Sequence, residues 1–220
     1  MASCSKRSDV IFHYGMTKTV AIIDYGMGNV GSVLNALAYL KVPALVTRNA
    51  EEIRCASHII LPGVGAFGEG MRNLREYGLI PLLEEVRQAG KPLLGICLGM
   101  QLLASVGEEG GEHEGLGFIP GRVRRFKVDE ANVRVPHIGW NDVSPTADAV
   151  LFRNVSPLIF DFVHSFHLVP EDSAVVSATC NYGEEFVVAV QKGSVFGVQF
   201  HPEKSQKSGL AVLNNFLNYA

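Results

Sequence analysis

A thiol stands at position 97 in the run 93-LLGICLGMQLL-103, with Gly95 two residues before it and Gly99 two residues after. The pattern is glycine, any residue, nucleophile, any residue, glycine, where a strand-like apolar run gives way to a helical one. A sharp strand-to-helix turn of this kind holds a nucleophile above the sheet edge in a strained backbone conformation. Its flanking positions must be small because the two backbones approach closely. The helix N-terminus lowers a thiol pKa, and its first free N–H can hold an oxyanion. The other reading of Cys97 is a small buried hydrophobe, which needs neither glycine.

A thiolate nucleophile needs a base and an acid. Of the seven histidines, His201 ends the apolar run 194-SVFGVQF-200 and is followed by Pro202 and Glu203. Glu203 can turn back and hold the imidazole in one tautomer, as the acid of a triad does. His58 and His137 border strands and read better as partly buried, hydrogen-bonded side chains. His113 lies in a polar loop and reads as solvated. His164 and His167 flank 165-SF-166 on a β-like run, where either could line a pocket.

These residues need elements to position them. Residues 19–24 form an apolar strand ending in 25-YGMGN-29, and a helix follows over about 30–40 with Val30, Val33, Leu34, Leu37 and Leu40 on one face. A strand at 44–47, a charged helical turn near 50–56 and a strand at 58–61 come next. The loop 62-PGVGAFG-68 leads into helical sequence to about 89, Lys91–Pro92 ends it, and 93–96 reads as a buried strand with a helix over about 98–106. Such alternation predicts a parallel sheet with helices on both faces and chemistry at the carboxyl ends of its strands. After the polar loop 107-GEEGGEHEG-115, short β-like runs at 122–126, 159–169, 174–179, 186–191 and 194–200 predict a β-rich, partly antiparallel extension of the same sheet. A helix near 206–218 closes the chain. Residues 16–220 read as one domain, and 1–15 as an extension outside the fold, either disordered or an artefact of expression.

Two segments, 26-GMGNVG-31 and 63-GVGAFG-68, match the glycine fingerprint of dinucleotide sites between a strand and a helix. No carboxylate stands at the next strand tip to read a ribose, although Arg48 would suit a 2′-phosphate. An NADP-binding oxidoreductase is therefore the alternative of a different class. The competing reading is that these glycines make tight turns or expose backbone N–H groups.

Composition bounds the rest. The chain has 220 residues, 47% hydrophobic content and a net charge of -3, with no basic run to track phosphates and no apolar stretch of membrane-spanning length. The four cysteines lack metal-ligand or CxxC spacing and read as free thiols of a reduced, cytoplasmic protein.

Cys97 in GICLGMQ, with His201 and Glu203 in VQFHPEKS, resembles the class I (triad) glutamine amidotransferases. The segments 22-IIDYGMGN-29, 62-PGVGAF-67, 136-PHIGWN-141 and 163-VHSF-166 are similar to one branch, the glutaminase subunits of imidazole glycerol phosphate synthase in histidine biosynthesis. The resemblance covers about 17–220. It implies a flavodoxin-like three-layer fold and a glutaminase reaction through a cysteinyl thioester, with Cys97 as nucleophile, His201 as acid and base, and Glu203 orienting His201. It implies an oxyanion hole from the Leu98 and Val64 N–H groups, and glutamine held by Gly63, Gly65, Gln101, His164, Ser165 and Phe166. Neither cofactor nor metal is implied. The implied partner is a (β/α)₈-barrel cyclase subunit, for which 220 residues leave no room, forming a heterodimer that channels ammonia. Asn29, Trp140 and Lys204 match partner-facing positions, although Trp140, the single tryptophan, could equally anchor the core. One departure is Asp161, where the branch often has an aromatic. A glutaminase that feeds another synthase, such as one amidating a surface sugar, is the alternative within the superfamily.

Overall fold

The computed structural model describes residues 18–129 and 131–219, so the expected extension 1–15 lies outside the described residues. The first half runs β1 (Val20–Ile23), α1 (Val30–Tyr39), β2 (Ala44–Thr47), α2 (Ala50–Cys55), β3 (His58–Gly63), α3 (Phe67–Glu76), α4 (Leu79–Gln88), β4 (Leu93–Cys97) and α5 (Leu98–Leu102). The strands then become short and frequent: β5 (Val106–Gly107), β6 (His113–Glu114), β7 (Gly121–Arg125), β8 (His137–Asp142), β9 (Ser144–Pro145), β10 (Ile159–His164) and β11 (Phe166–Pro170). The chain ends with β12 (Val176–Asn181), β13 (Glu185–Lys192), β14 (Val195–Val198) and α6 (Gln206–Leu217).

The main sheet has the order β2-β1-β3-β4-β14-β13-β12-β9. Its first five strands are parallel, and the last three pair antiparallel. The parallel strands are buried on both faces because alternate residues enter opposite cores. Val20 and Ile22 face one cluster with Val33 and Leu37 of α1 and Val212, Leu213 and Phe216 of α6. Ala21 and Ile23 face another with Ile53, Leu74, Leu83 and Leu98 from α2, α3, α4 and α5. The result is the expected three-layer α/β fold with a mostly parallel sheet.

Several elements differ from the sequence expectation. The helix expected to run to about 89 is two helices, because Gly78 adopts φ 65° between them. The β-run 159–169 breaks at Ser165, and its halves join different sheets: β10 pairs with β8, while β11 joins the order β11-β7-β5-β6. Only β14, β13, β12 and β9 thus extend the main sheet. Cys97 and Cys180 are free thiols as expected, but Cys55 is disulfide-bonded, which corrects that reading at position 55.

Candidate active site

Cys97 is the last residue of β4 and precedes the first residue of α5. Its backbone takes φ 54° and ψ -111°, a conformation disfavoured for a residue with a Cβ. The flanking glycines make the turn possible. A Cβ on Gly99 would lie 1.8 Å from the Leu61 carbonyl oxygen, and one on Gly95 would lie 2.6 Å from that of Gly99. Met100 then packs within 2.7 Å of where a side chain on Gly197 would begin. Since α5 has only five residues, the elbow offers a free N–H at Leu98 more than a macrodipole.

His201 follows β14, the strand beside β4. Its Nδ1 is 2.8 Å from Glu203 Oε1, and both side chains are 2% exposed. The His201 N–H donates to the Asp161 carbonyl at 2.9 Å, and Ser205 Oγ donates to the His201 carbonyl at 2.7 Å. Asp161 N–H in turn donates to Ser205 Oγ at 3.0 Å. It is the backbone of Asp161 that anchors the histidine, so the departure in its side chain leaves this anchor intact. Burial disfavours the imidazolium, but Cys97 and Glu203 outweigh it and push His201 up to about 10. His201 Nε2 is buried without a hydrogen-bond partner, and His201 and Cys97 line the same cavity.

Cys97 and His201 line one cavity of about 560 Å³. Val64, Gly65, Leu98, Gln101, His164, Ser165 and Phe166 line it too. Gly63 does not: it stands behind the wall, where a Cβ would meet the Tyr25 hydroxyl at 2.4 Å. Of the partner-facing candidates, Asn29 caps α1 by accepting from the Ser32 N–H, and Lys204 is exposed in the turn after His201. Trp140 is 50% exposed on β8 and is no core anchor. Four cavity residues were not singled out from the sequence as site residues: Ala66, Glu109, Pro136 and Val163. Nor was Gln199. It is wholly buried, and its Nε2 donates to Cys97 Sγ at 3.7 Å.

Behind the cavity lies a buried aromatic cluster. His164 Nδ1 is 2.8 Å from the Phe166 carbonyl oxygen and must donate to it. Its Nε2 therefore accepts from His137 Nδ1, 3.2 Å away. His167 stacks on Phe126 at 5.0 Å, with Glu184 Oε1 3.4 Å from its Nε2. Burial lowers His137 and His167 to about 4 and His164 to about 3. All three are held neutral. Unfolding frees them to bind protons below their ordinary value of 6.5, so their stabilising contribution is present above that pH and is lost as pH falls toward 4. The thermal midpoint is expected to drop across this window. His167→Phe, whose ring nitrogens make no hydrogen bond, should drop less. Parallel curves for the two proteins would rule out this source of acid sensitivity. His113, expected in solvent, instead packs its ring against Gly68.

The dinucleotide reading fails on the same geometry. The N-terminus of α1 is capped by Asn29, and the Phe67 N–H that opens α3 donates to Glu109 Oε2 at 2.8 Å. A carboxylate thus sits where a pyrophosphate would bind. Arg48 is paired with Asp24 at 2.6 Å and lies 4.1 Å over the Tyr77 ring. Among the described residues no group of side chains could hold a metal ion, and no helix is long and apolar enough to cross a membrane.

A thiol on a strand-to-helix elbow, a carboxylate-bound histidine across the cavity and this sheet order define an α/β enzyme of the thiol amidotransferase class. The chain belongs to the family described as glutamine amidotransferase class-I, whose profile matches residues 21–219. It is 51% identical to the imidazole glycerol phosphate synthase subunit HisH of Moorella thermoacetica, over 90% of this chain and 94% of that one. It is 46% identical to a HisH 2 subunit of Methanococcus maripaludis, over 91% of this chain and 100% of that one. Among solved structures, PurLQS from Thermotoga maritima superposes with a TM-score of 0.70 at 19% identity, covering 93% of this chain and 99% of that one. A glutamine amidotransferase crystal structure gives 0.69 at 23%, covering 90% and 96%. These two likenesses concern the fold.

Proposed function

We propose that this chain is the glutaminase subunit of an imidazole glycerol phosphate synthase in histidine biosynthesis, hydrolysing glutamine to glutamate and ammonia. The observation that carries it is Cys97 and His201 lining one cavity, with Glu203 bonded to His201 at 2.8 Å. The Cys97 thiolate attacks the side-chain carbonyl carbon of glutamine, and the Leu98 and Val64 N–H groups receive the oxyanion. The His201 imidazolium gives its proton to the amide nitrogen, the C–N bond breaks and ammonia leaves. Acylation removes the sulfur's negative charge, one of the two influences that hold the proton on His201. Its loss favours transfer of the proton to the leaving group as the thioester forms. Neutral His201 then takes a proton from water, hydroxide adds to the thioester, and the C–S bond breaks to release glutamate.

Glutamine fits the walls. Among the described residues Glu109 is the one acidic side chain on the cavity, and it suits the α-ammonium group. Gln101, His164, Ser165 and Phe166 stand along the substrate, with Gly65, at φ 104°, leaving the Val64 peptide free to turn. Gly63 contributes clearance at the back of the wall instead of contact.

The partner in this reading is a (β/α)₈-barrel cyclase, joined in a heterodimer that receives ammonia directly. Ile138, Trp140 and Val163 support the docking face: they are 67%, 50% and 41% exposed on the β8–β10 pair, and Val163 also lines the cavity. Asn29 and Lys204 flank that face in this reading. We take residues 16–220 as one cytoplasmic domain that binds neither nucleic acid nor membrane.

The test is glutamate release with and without the cyclase and its nucleotide substrate. Low activity alone and strong stimulation in the complex are expected. Stimulation by a sugar-amidating synthase in place of the cyclase would overturn the pathway assignment.

A further inference from the structure

We propose that Gln199 is a positioning residue whose amide ties the nucleophile to Gln101, donating to Cys97 Sγ and, together with the Phe166 carbonyl, holding the Gln101 amide with its oxygen toward the cavity. This rests on the glutaminase reading for its consequence but not for its geometry.

The orientation of both amides follows from one backbone carbonyl. The Phe166 oxygen can only accept, and it lies 2.9 Å from Gln101 Nε2. That end of Gln101 is therefore the NH₂. The same Nε2 lies 3.0 Å from Gln199 Oε1, which must then be an oxygen. By elimination the NH₂ of Gln199 points at Cys97 Sγ, 3.7 Å away. Both N–H groups of Gln101 are spent on these two acceptors. The atom left for the cavity is Oε1, an acceptor suited to the N–H groups of an amide and mismatched to a second carboxylate. Gln199 is wholly buried and lines no part of the cavity, so it acts only through its two neighbours.

The ionisable groups around the sulfur are His201 after β14, Glu203 behind it, buried Tyr25 after β1, and His164 and Glu109 on the cavity. Apart from the elbow's own backbone, the Gln199 N–H is the neutral donor among these neighbours. A donor that favours the thiolate form shifts thiol ionisation down by roughly one to two pH units.

Two variants separate the donor from the acceptor. Gln199→Met removes both and keeps the length of the side chain. Gln199→Glu keeps an oxygen for Gln101 and replaces the donor with an acid. Cys97 alkylation by iodoacetamide is followed against pH by peptide-resolved mass spectrometry, with the chain bound to its partner subunit. Buried Cys180, held up to about 12, is the unreactive internal reference. Both variants are expected to move the alkylation midpoint up by about one pH unit. Only Gln199→Met should also raise KM for glutamine, by about tenfold, because only it releases Gln101. Circular dichroism verifies folding, and a variant that does not fold leaves the other to decide the midpoint. An unmoved midpoint in either folded variant overturns the proposal, as does an equal rise of KM in both. A shifted midpoint in a protein without glutaminase activity would sink the functional reading while leaving the Gln199–Cys97 contact standing.

Discussion

Cys97→Ala is expected to lower glutamate release by at least about 10⁴-fold, with thermal stability and partner binding close to wild type. The magnitude follows from removing a nucleophile that acts as one unit with its base, where each member's loss costs nearly the whole acceleration. Stability should hold because the change removes one sulfur from a residue that is 6% exposed and already borders a cavity. It also relieves nothing at the backbone, since alanine meets the same penalty at φ 54°. The comparison variant is Cys180→Ala, expected to retain activity, because Cys180 is a buried free thiol that does not line the cavity. Retained glutaminase activity in Cys97→Ala would remove the covalent mechanism altogether.

Gly99→Ala is the second large effect, and it acts on the fold as well as the chemistry. The added methyl would sit 1.8 Å from the Leu61 carbonyl oxygen, and that oxygen belongs to β3, the neighbouring strand. Neither partner can rotate away, so α5 or β3 must move. Overpacking of this kind usually costs about 1–3 kcal/mol, and a clash with main chain lies at the upper end or beyond. For a chain of this size a loss of about 3 kcal/mol lowers the thermal midpoint by roughly 10 °C. Activity should fall with it, because Leu98 and Cys97 ride on the displaced turn. Gly31→Ala is the contrasting substitution: it lies in α1 with nothing within 4 Å of the new methyl, and should be neutral or slightly stabilising. A wild-type midpoint for Gly99→Ala would mean that the elbow is looser than its contacts require.

Much of the site was legible in the sequence because its constraints are local. Gly95, Cys97 and Gly99 lie within five positions, and His201 and Glu203 within three, so their mutual geometry is set by one turn each. The parallel strands were legible because burial on both faces leaves continuous apolar runs such as 93-LLGIC-97. What stayed hidden depends on distant pairing. Gln199 sits in the strand-like run SVFGVQF, where a lone amide reads as an outward-facing position, and only its contacts with Gln101 and Cys97 reveal its burial. Glu109 is one of several acids in a polar loop, singled out only by its bond to the Phe67 N–H and its place on the cavity. The break at Ser165 was invisible because both halves of 159–169 have strand composition, while their pairing with β8 and β7 is decided elsewhere. A second missed break, at Gly78, did have a local signal, a breaker inside a helical pattern whose positive φ divides α3 from α4.

The order of strands across the sheet has a consequence of its own. β4, ending on Cys97, is flanked by β3, which runs into the 63–65 loop, and by β14, which leads to His201. Gly63 is in register with Cys97, and Ile96 with Val198. Parallel strands sit about 4.8 Å apart whatever their side chains are. The hydrogen-bond ladder therefore serves as a ruler, laying the 63–65 loop, Cys97 and the lead-in to His201 side by side across the sheet instead of along the chain. A slip of one residue would move a group by about 3.3 Å and turn it to the opposite face, so the marks on this ruler cannot drift gradually. Side chains on the outer helices can change without moving these marks, because the spacing of the strand ends is fixed by the main chain.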